Sequence, residues 1–532
     1  MVIQPQGTIR LLKTPLDETY EHTLNFASKN AQYNYFMSLP YYEYEDVTYV
    51  RADDKIYINI SYDTAIQYDY VMYQNEGYNE KWFYAFITEY TYESNECCGL
   101  KIKTDVFQTW MFDYDVFPSF IEREHVADDT IGKHTYPENI EYGDYICVGD
   151  EVFTEFNNFE IVLGSSINPW TIDNINGIYN GIPSAVGYMR YPLNQTGIDN
   201  LRDGIQELID RTMGDAITGV FLAPSFLTIP KPGDTNIVLN NTMFPETIIE
   251  NLHKITSLNT YVPKNNKMLC YPYCFISITN GASNEMILQQ ELFSNLNSLQ
   301  LKITGALCPG CSIIAQPVDY NGSPNYPEHT LVMGKLPQLN WSGDQYLNWQ
   351  TQNGVNNTIQ KISGWANIVL GSANVSAGLV SEGASGSQIR SGGSQMYSGI
   401  TSVIQAANQE RLAELMPPIV QGNINSGDVM YSSGQLRIGC LYKSIKKEYA
   451  MIVDSFLTKY GYKVNEIKIP NLNTRTNWNY IKTIGIVINA KNGTDVLQGD
   501  LAELKAIYNK GITIWHNPST MFDYSQSNNI VS

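Results

Sequence analysis

Basic side chains are the scarcest resource of this chain. Its 34 Lys and Arg stand against 54 Asp and Glu, a formal charge of −20, and charged residues of both signs fill only 17% of 532 positions, where about 25% is ordinary. Proteins that grip nucleic acid displace counterions from phosphates with patches of Lys and Arg, so this balance argues against such a surface. The deficit is uneven, because residues 1–150 hold 10 basic and 26 acidic side chains. Cysteine is sparse as well, with eight in the whole chain, too few for a disulfide scaffold. Met1 to Asp17 lacks the basic start and apolar run of a secretion signal, so synthesis in a cytoplasm is expected.

Catalytic signatures are missing too. The chain has no phosphate-cradling Gly-rich loop ending in Lys-Ser/Thr, no His-Glu-x-x-His, no Gly-x-Ser-x-Gly and no dinucleotide fingerprint. Its six His, at 22, 125, 134, 253, 329 and 516, are far apart. The acid pairs Glu122/Glu124 and Asp113/Asp115 could suggest glycoside cleavage. In β-rich sequence, however, acids at i and i+2 share a solvated face, and that is the expectation here. Cys270 and Cys274 with Cys308 and Cys311 could offer four thiolates to zinc. Tyr271-Pro272-Tyr273 crowds the first pair, so buried free thiols are expected and no cofactor is assigned. Cys97 and Cys98 point to opposite faces of a strand.

A length of 532 residues suggests three or four domains, and most of the pattern is β. Lys55 to Tyr62 alternates, with Ile56, Ile58, Ile60 and Tyr62 on one face, and predicts a half-buried strand. Trp82 to Tyr90 and Leu100 to Phe107 read as further strands of an antiparallel sheet or barrel. Helical spacing is local. Ile198, Leu201, Ile205, Leu208 and Ile209 predict an amphipathic helix within Thr196 to Met213. Tyr449 to Tyr460 predicts a second, stopped by Gly461, and Leu497 to Asn509 a third, ending before Gly511. Strand-like Lys463 to Ile469, Ile481 to Ile488 and Ile512 to Trp515 surround these last two, as in a small α+β lobe.

One segment departs from this. Between Ile362 and Ala407 the only charged residues are Glu382 and Arg390, and Gly, Ser and Ala dominate. The composition fits a flexible linker or mobile loop better than constitutive membrane helices. A linker, however, has no need of Trp365, Ile368, Val369, Leu370, Val375, Leu379, Val380, Ile389, Met396, Ile400, Val403 and Ile404. Small residues such as Ser372/Ser376 and Ala373/Ala377 also permit close helix contact in lipid. These properties suit a segment that is first soluble and later compatible with lipid.

Specific stretches then carry a resemblance. Gln32-Tyr33-Asn34-Tyr35-Phe36, Lys81 to Phe86, Gln108 to Phe112 and Phe120 to Val126 resemble, in order, segments of the tail-knob proteins of small short-tailed phages (podoviruses of the Picovirinae type). Tyr271 to Cys274, Ser455 to Lys463, Pro470 to Arg475, Asn479-Tyr480 and Asn509 to His516 extend the likeness. Between Ala127 and Met268 the likeness is much weaker beyond Pro137 to Tyr145.

The resemblance implies a non-enzymatic virion tail protein, mainly β with α+β parts. Tail-tube-type β-barrel modules would assemble as a homohexamer into the distal tail knob. Its lumen would conduct viral genomic DNA without binding it specifically, next to other tail proteins of the lower collar or tail tube. Pattern and resemblance together divide the chain into five parts: an N-terminal barrel or tube module (1–127), an inserted α+β domain (128–268) whose fold rests on pattern alone, a second β module (269–361), an apolar Gly/Ser-rich loop (362–407) and a C-terminal α+β lobe completing the tube (408–532). The loop, with the twelve apolar residues named above, would plug the channel and be released to act on the host cell membrane. An uncharged or acidic lumen would let phosphates slide. The alternative is a receptor-binding or cell-wall- or capsule-degrading tail appendage.

Overall fold

The computed structural model describes residues 7–47, 55–75, 81–153, 158–175, 177–179, 182–231, 233–238, 247–280, 285–307, 312–335, 338–340 and 438–531. The chain folds as two units that do not follow its order. The first comprises Met1–Tyr142, Pro263–Met268 and Lys447–Ser532, the second Gly143–Val262 and Leu269–Lys446.

The first unit opens with strands β1 (Gly7–Leu12), β2 (His22–Leu24), β3 (Tyr41–Val47), β4 (Lys55–Ile58), β5 (Tyr70–Asn75), β6 (Trp82–Ser94), β7 (Cys97–Thr104), β8 (Tyr114–Val116) and β9 (Ser119–Glu124). Six of them form an antiparallel sheet in the order β3-β1-β5-β6-β7-β4. The sheet curls like a barrel wall. Tyr44 on one edge strand donates across 3.4 Å to the Asn59 carbonyl just past the other edge strand, and Tyr42 meets Tyr68 edge-on at 5.7 Å.

The curled sheet is filled by aromatic side chains. Ser28 caps the Lys29–Ser38 helix by accepting from the Ala31 amide. This presents Phe36 parallel to Tyr70 at 5.6 Å and against Tyr84 at 4.7 Å. Ring pairs in such offset geometries add to the burial they bring.

Two strand boundaries differ from the alternation read in the sequence. Ile56, Ile58 and Ile60 are buried as expected, but the strand stops at Ile58 because Ser61 caps a helical turn, Tyr62–Ala65. Likewise β7 stops at Thr104, because the Asp105 carboxylate accepts from the Gln108 amide at 3.0 Å and starts the Val106–Trp110 helix. In both places a capping side chain offers the backbone a better partner than a further ladder bond.

A second sheet of this unit runs in the order β2, Ile512–Trp515, Trp478–Ile484, β9, Tyr462–Lys468. The helices Lys447–Tyr460 and Gln498–Lys510 flank it. The indole of Trp478 donates to the Thr458 carbonyl at 3.1 Å, and Thr483 donates to Asn509 at 2.9 Å. Both helices end at the glycines expected, Gly461 at φ 65° and Gly511 at φ 103°. The two helices and the strands read in this stretch are present, in a sheet that also takes in β2 and β9.

Among the described residues the second unit holds three larger sheets. One pairs Tyr145–Phe153, Ile438–Ile445, Cys274–Thr279 and Glu285–Leu288 in that order. A six-stranded sheet is centred on Phe159–Ser165 between Gly187–Pro192 and Ile217–Pro224. A five-stranded sheet is centred on Leu299–Gly305 and Ser312–Tyr320. The predicted amphipathic helix spans Gln195–Asp210, is capped by Asn194, and buries Ile198, Leu201, Ile205, Leu208 and Ile209. Mainly β with few helices is thus the observed class.

Candidate functional site

The carboxylate pairs do not behave as paired acids. Asp113 is buried; burial opposes its ionisation, yet Lys81 and Lys29 hold its carboxyl below the ordinary value. Asp115 lies outside, 3.7 Å from Lys491. Glu124 is fully buried, accepts from the Asn471 amide at 2.9 Å and pairs with Lys468, while Glu122 pairs with Lys482 at 3.0 Å. A register shift where β9 meets Trp478–Ile484 separates them, Lys482 facing Arg123 and Thr483 facing Ile121. The expected shared solvated face is therefore wrong for both pairs: one acid of each is buried on a structural cation.

Cys270 and Cys274 are buried, and burial pushes the Cys274 thiol up. Cys308 and Cys311 lie outside the described residues. Among the described residues no cluster of three or more His, Cys, Asp or Glu could hold a metal ion, and no helix is long and apolar enough to cross a membrane. The twelve apolar residues from Trp365 to Ile404 lie outside the described residues.

What the fold does assemble is a buried polar network in the first unit. Glu138 is 1% exposed at its side chain and receives Arg123 on one oxygen and Lys267 on the other, with the Lys463 amide at 2.9 Å. Arg123 also donates to the Gly461 carbonyl at 2.7 Å and lies over the Phe456 ring at 4.8 Å. Lys267 belongs to Pro263–Met268, the short stretch that leaves the second unit's sequence to fold with the first. Asp454 anchors that stretch by accepting from the Lys264 amide at 2.8 Å and from the Asn265 amide at 3.1 Å, and Asp129 accepts from the Asn266 amide at 3.1 Å. The Tyr462 hydroxyl donates to Asp129, and the Thr458 hydroxyl accepts from the Asn265 side-chain amide at 2.9 Å. The network's chemistry is retention: it ties residues far apart in sequence into one rigid body.

Part of the acidic excess of the N-terminal region is exposed on its first sheet, with Lys101 opposite Glu89 as a counter-charge. Glu89, Glu93 and Glu96 are all exposed along the distal half of the β6–β7 hairpin, whose 13-residue first strand is long enough to span roughly 40 Å. Glu43 and Glu45 are exposed on β3.

Comparison with known proteins places this fold. A family profile for the C-terminal domain of the Bacillus phage phi29 tail knob protein gp9 matches residues 239–529, more than half of the chain. The chain belongs to the phage tail knob family. Its residues 6–115 also match the N-terminus of caudoviral major tail proteins. It is 29% identical to the tail knob protein gp9 of Bacillus phage PZA, over 98% of each chain, and 27% identical to that of phi29, again over 98% of each. The bacteriophage C1 tail knob protein gp12 shares the fold with a TM-score of 0.63 at 13% identity, over 99% of this chain and 100% of the other. This knob protein is accordingly a structural component of the virion tail.

Buried His125 and half-buried His516 of the first unit make its stability sensitive to pH. The Tyr480 amide donates to His125 Nδ1 at 2.7 Å, and Nε2 lies 3.0 Å from the Thr458 carbonyl, so the ring is neutral with its proton on Nε2. Burial, aided by Arg475, pushes His125 down to about 3, and burial pushes His516 down to about 4. The unfolded chain protonates both near pH 6.5, so each removes about 2 kcal/mol of stability by pH 5. Asp105 acts the other way. Burial raises it to about 6, so the folded form takes up a proton first and recovers about 1 kcal/mol at pH 5. The two histidines outweigh Asp105, so these three groups together lower the stability of the first unit by about 3 kcal/mol between pH 7.5 and pH 5, read as a lower denaturant midpoint. Equal midpoints would contradict it.

Proposed function

We propose that six copies of this chain form the tubular distal end of a short phage tail, through which the viral genome leaves the particle. The carrying observation is likeness to tail knob proteins along nearly the whole chain, with a tail-protein match on the N-terminal sheet. A barrel-like wall and an acidic hairpin support it, since a conduit for DNA works best when phosphates find no cations to hold them. Its partners in this reading are its own copies, the lower collar or tail tube, and DNA in transit. The function is mechanical rather than enzymatic.

The nearly uncharged segment 362–407 is the second half of the proposal. Copies of it, carrying Trp365, Ile368, Val369, Leu370, Val375, Leu379, Val380, Ile389, Met396, Ile400, Val403 and Ile404, would bury these residues against one another in the lumen. On release they would exchange that burial for the host membrane. Purified wild-type protein should release dye from liposomes, more so when acid triggers release, and a deletion of 362–407 should not. Equal inertness of both would remove the membrane role and leave the plug.

A further inference from the structure

We propose that an exposed apolar patch on the C-terminal sheet is the surface on which a second copy of this chain docks; this rests on the ring assembly proposed above and locates one of its contacts. The patch lies at one end of the sheet. Phe120 on β9 stands directly opposite Ile467 of the edge strand Tyr462–Lys468 on one side and Ile484 of Trp478–Ile484 on the other. Direct partners in a ladder share a face, so the three form one row. Ile469 continues it along the edge, and Phe117 and Val487, joined by a backbone hydrogen bond at 3.0 Å, close its end.

The exposure is large for aliphatic side chains. Ile467 is 76% exposed, Ile469 60% and Ile484 58%, with Phe117 and Val487 also open. Together they present on the order of 500 Å² of apolar surface, the size of the largest patch on an ordinary monomer. That is more than half of the ~800 Å² one partner buries in a standard interface. Two ion pairs lie next to it along the strands, Glu122 with Lys482 and Asp115 with Lys491. An apolar centre within a polar rim is interface anatomy.

The mode of docking also follows. The edge strand beside the patch is defended against strand addition: its pairing with β9 is irregular between Lys463 and Glu466, and it carries Lys463, Glu466 and Lys468. Bulges and charges of this kind blunt an edge. The contact therefore runs through the isoleucine face rather than through a continued ladder. Identical neighbours suit it, because a closed ring covers one patch on every copy.

The test uses the full chain. Wild type and the double variant Ile467→Glu/Ile484→Glu are compared by light scattering on a sizing column, with Ile452→Glu as control, a helix residue outside the patch that is 64% exposed. The expected result is a ring for wild type and control, and the 60.1 kDa of a single chain for the double variant, with unchanged circular dichroism and melting. A double variant that assembles like wild type overturns this proposal and leaves the ring standing. A monomeric wild type overturns both. Dissociation of the control to the same extent overturns the assignment to this patch.

Discussion

Replacing Gly461 with alanine should destabilise the first unit by more than about 4 kcal/mol, beyond what most single substitutions cost. Gly461 ends the Lys447–Tyr460 helix at φ 65°, a conformation that costs an alanine about 1 kcal/mol. The larger part is steric. A methyl group there would lie 2.1 Å from the Glu124 carbonyl oxygen and 2.5 Å from the His125 amide nitrogen, both backbone atoms of a strand held on two sides. Neither can withdraw without giving up the ladder. Gly493 separates the two contributions, since it has φ 82° and an added methyl group would meet no atom within 4 Å, so Gly493→Ala should cost only the conformational ~1 kcal/mol. Denaturant unfolding followed by fluorescence of Trp110, Trp478 and Trp515, all buried in this unit, measures both. A wild-type midpoint for Gly461→Ala would contradict the structure at its tightest point.

Glu138→Ala should cost about 3–5 kcal/mol in the same measurement, because it leaves two buried cations, Arg123 and Lys267, without their anion. The residue sits on a loop, where truncation of an ordinary exposed glutamate would change stability by less than about 0.5 kcal/mol. Glu138→Gln keeps the shape and one acceptor for the Lys463 amide, so it should fall between the two. The loss should also reach beyond local packing. Lys267 lies on Pro263–Met268, and proteolysis near that stretch should speed up in the alanine variant. An unchanged midpoint together with unchanged proteolysis would mean that the triad is held by its backbone alone.

Local order was legible in the sequence wherever one residue's neighbours along the chain decide its state. The helix Gln195–Asp210 was announced by its isoleucine and leucine spacing, the ends of the last two helices by Gly461 and Gly511, and Ile512–Trp515 by a short apolar run. Periodicity overran where a cap intervened, at Ser61 and Asp105, because a side-chain oxygen displaces the next ladder bond only when the fold brings it there. The carboxylate pairs failed for a related reason: a register shift in β9 is set by a partner strand several hundred residues away for Glu122/Glu124, and Asp113 is buried on Lys29 and Lys81, which other parts of the chain bring to it. Glu138 carried one usable signal, its place in Pro137 to Tyr145, the stretch of clearest similarity in an otherwise divergent region. Its partner Lys267 carried none.

The sequence by itself determined that this is a weakly charged, acidic, mainly β chain of the tail knob kind, because composition, alternation and short motifs are properties of neighbouring residues. Tertiary structure alone decided that Pro263–Met268 folds with the opposite ends of the chain, that one acid of each pair is buried on lysine, and that three isoleucines gather on an open sheet face. These depend on contacts between residues hundreds of positions apart. Such contacts form only where the burial and pairing they bring outweigh the entropy of closing long loops, and no local pattern records that balance.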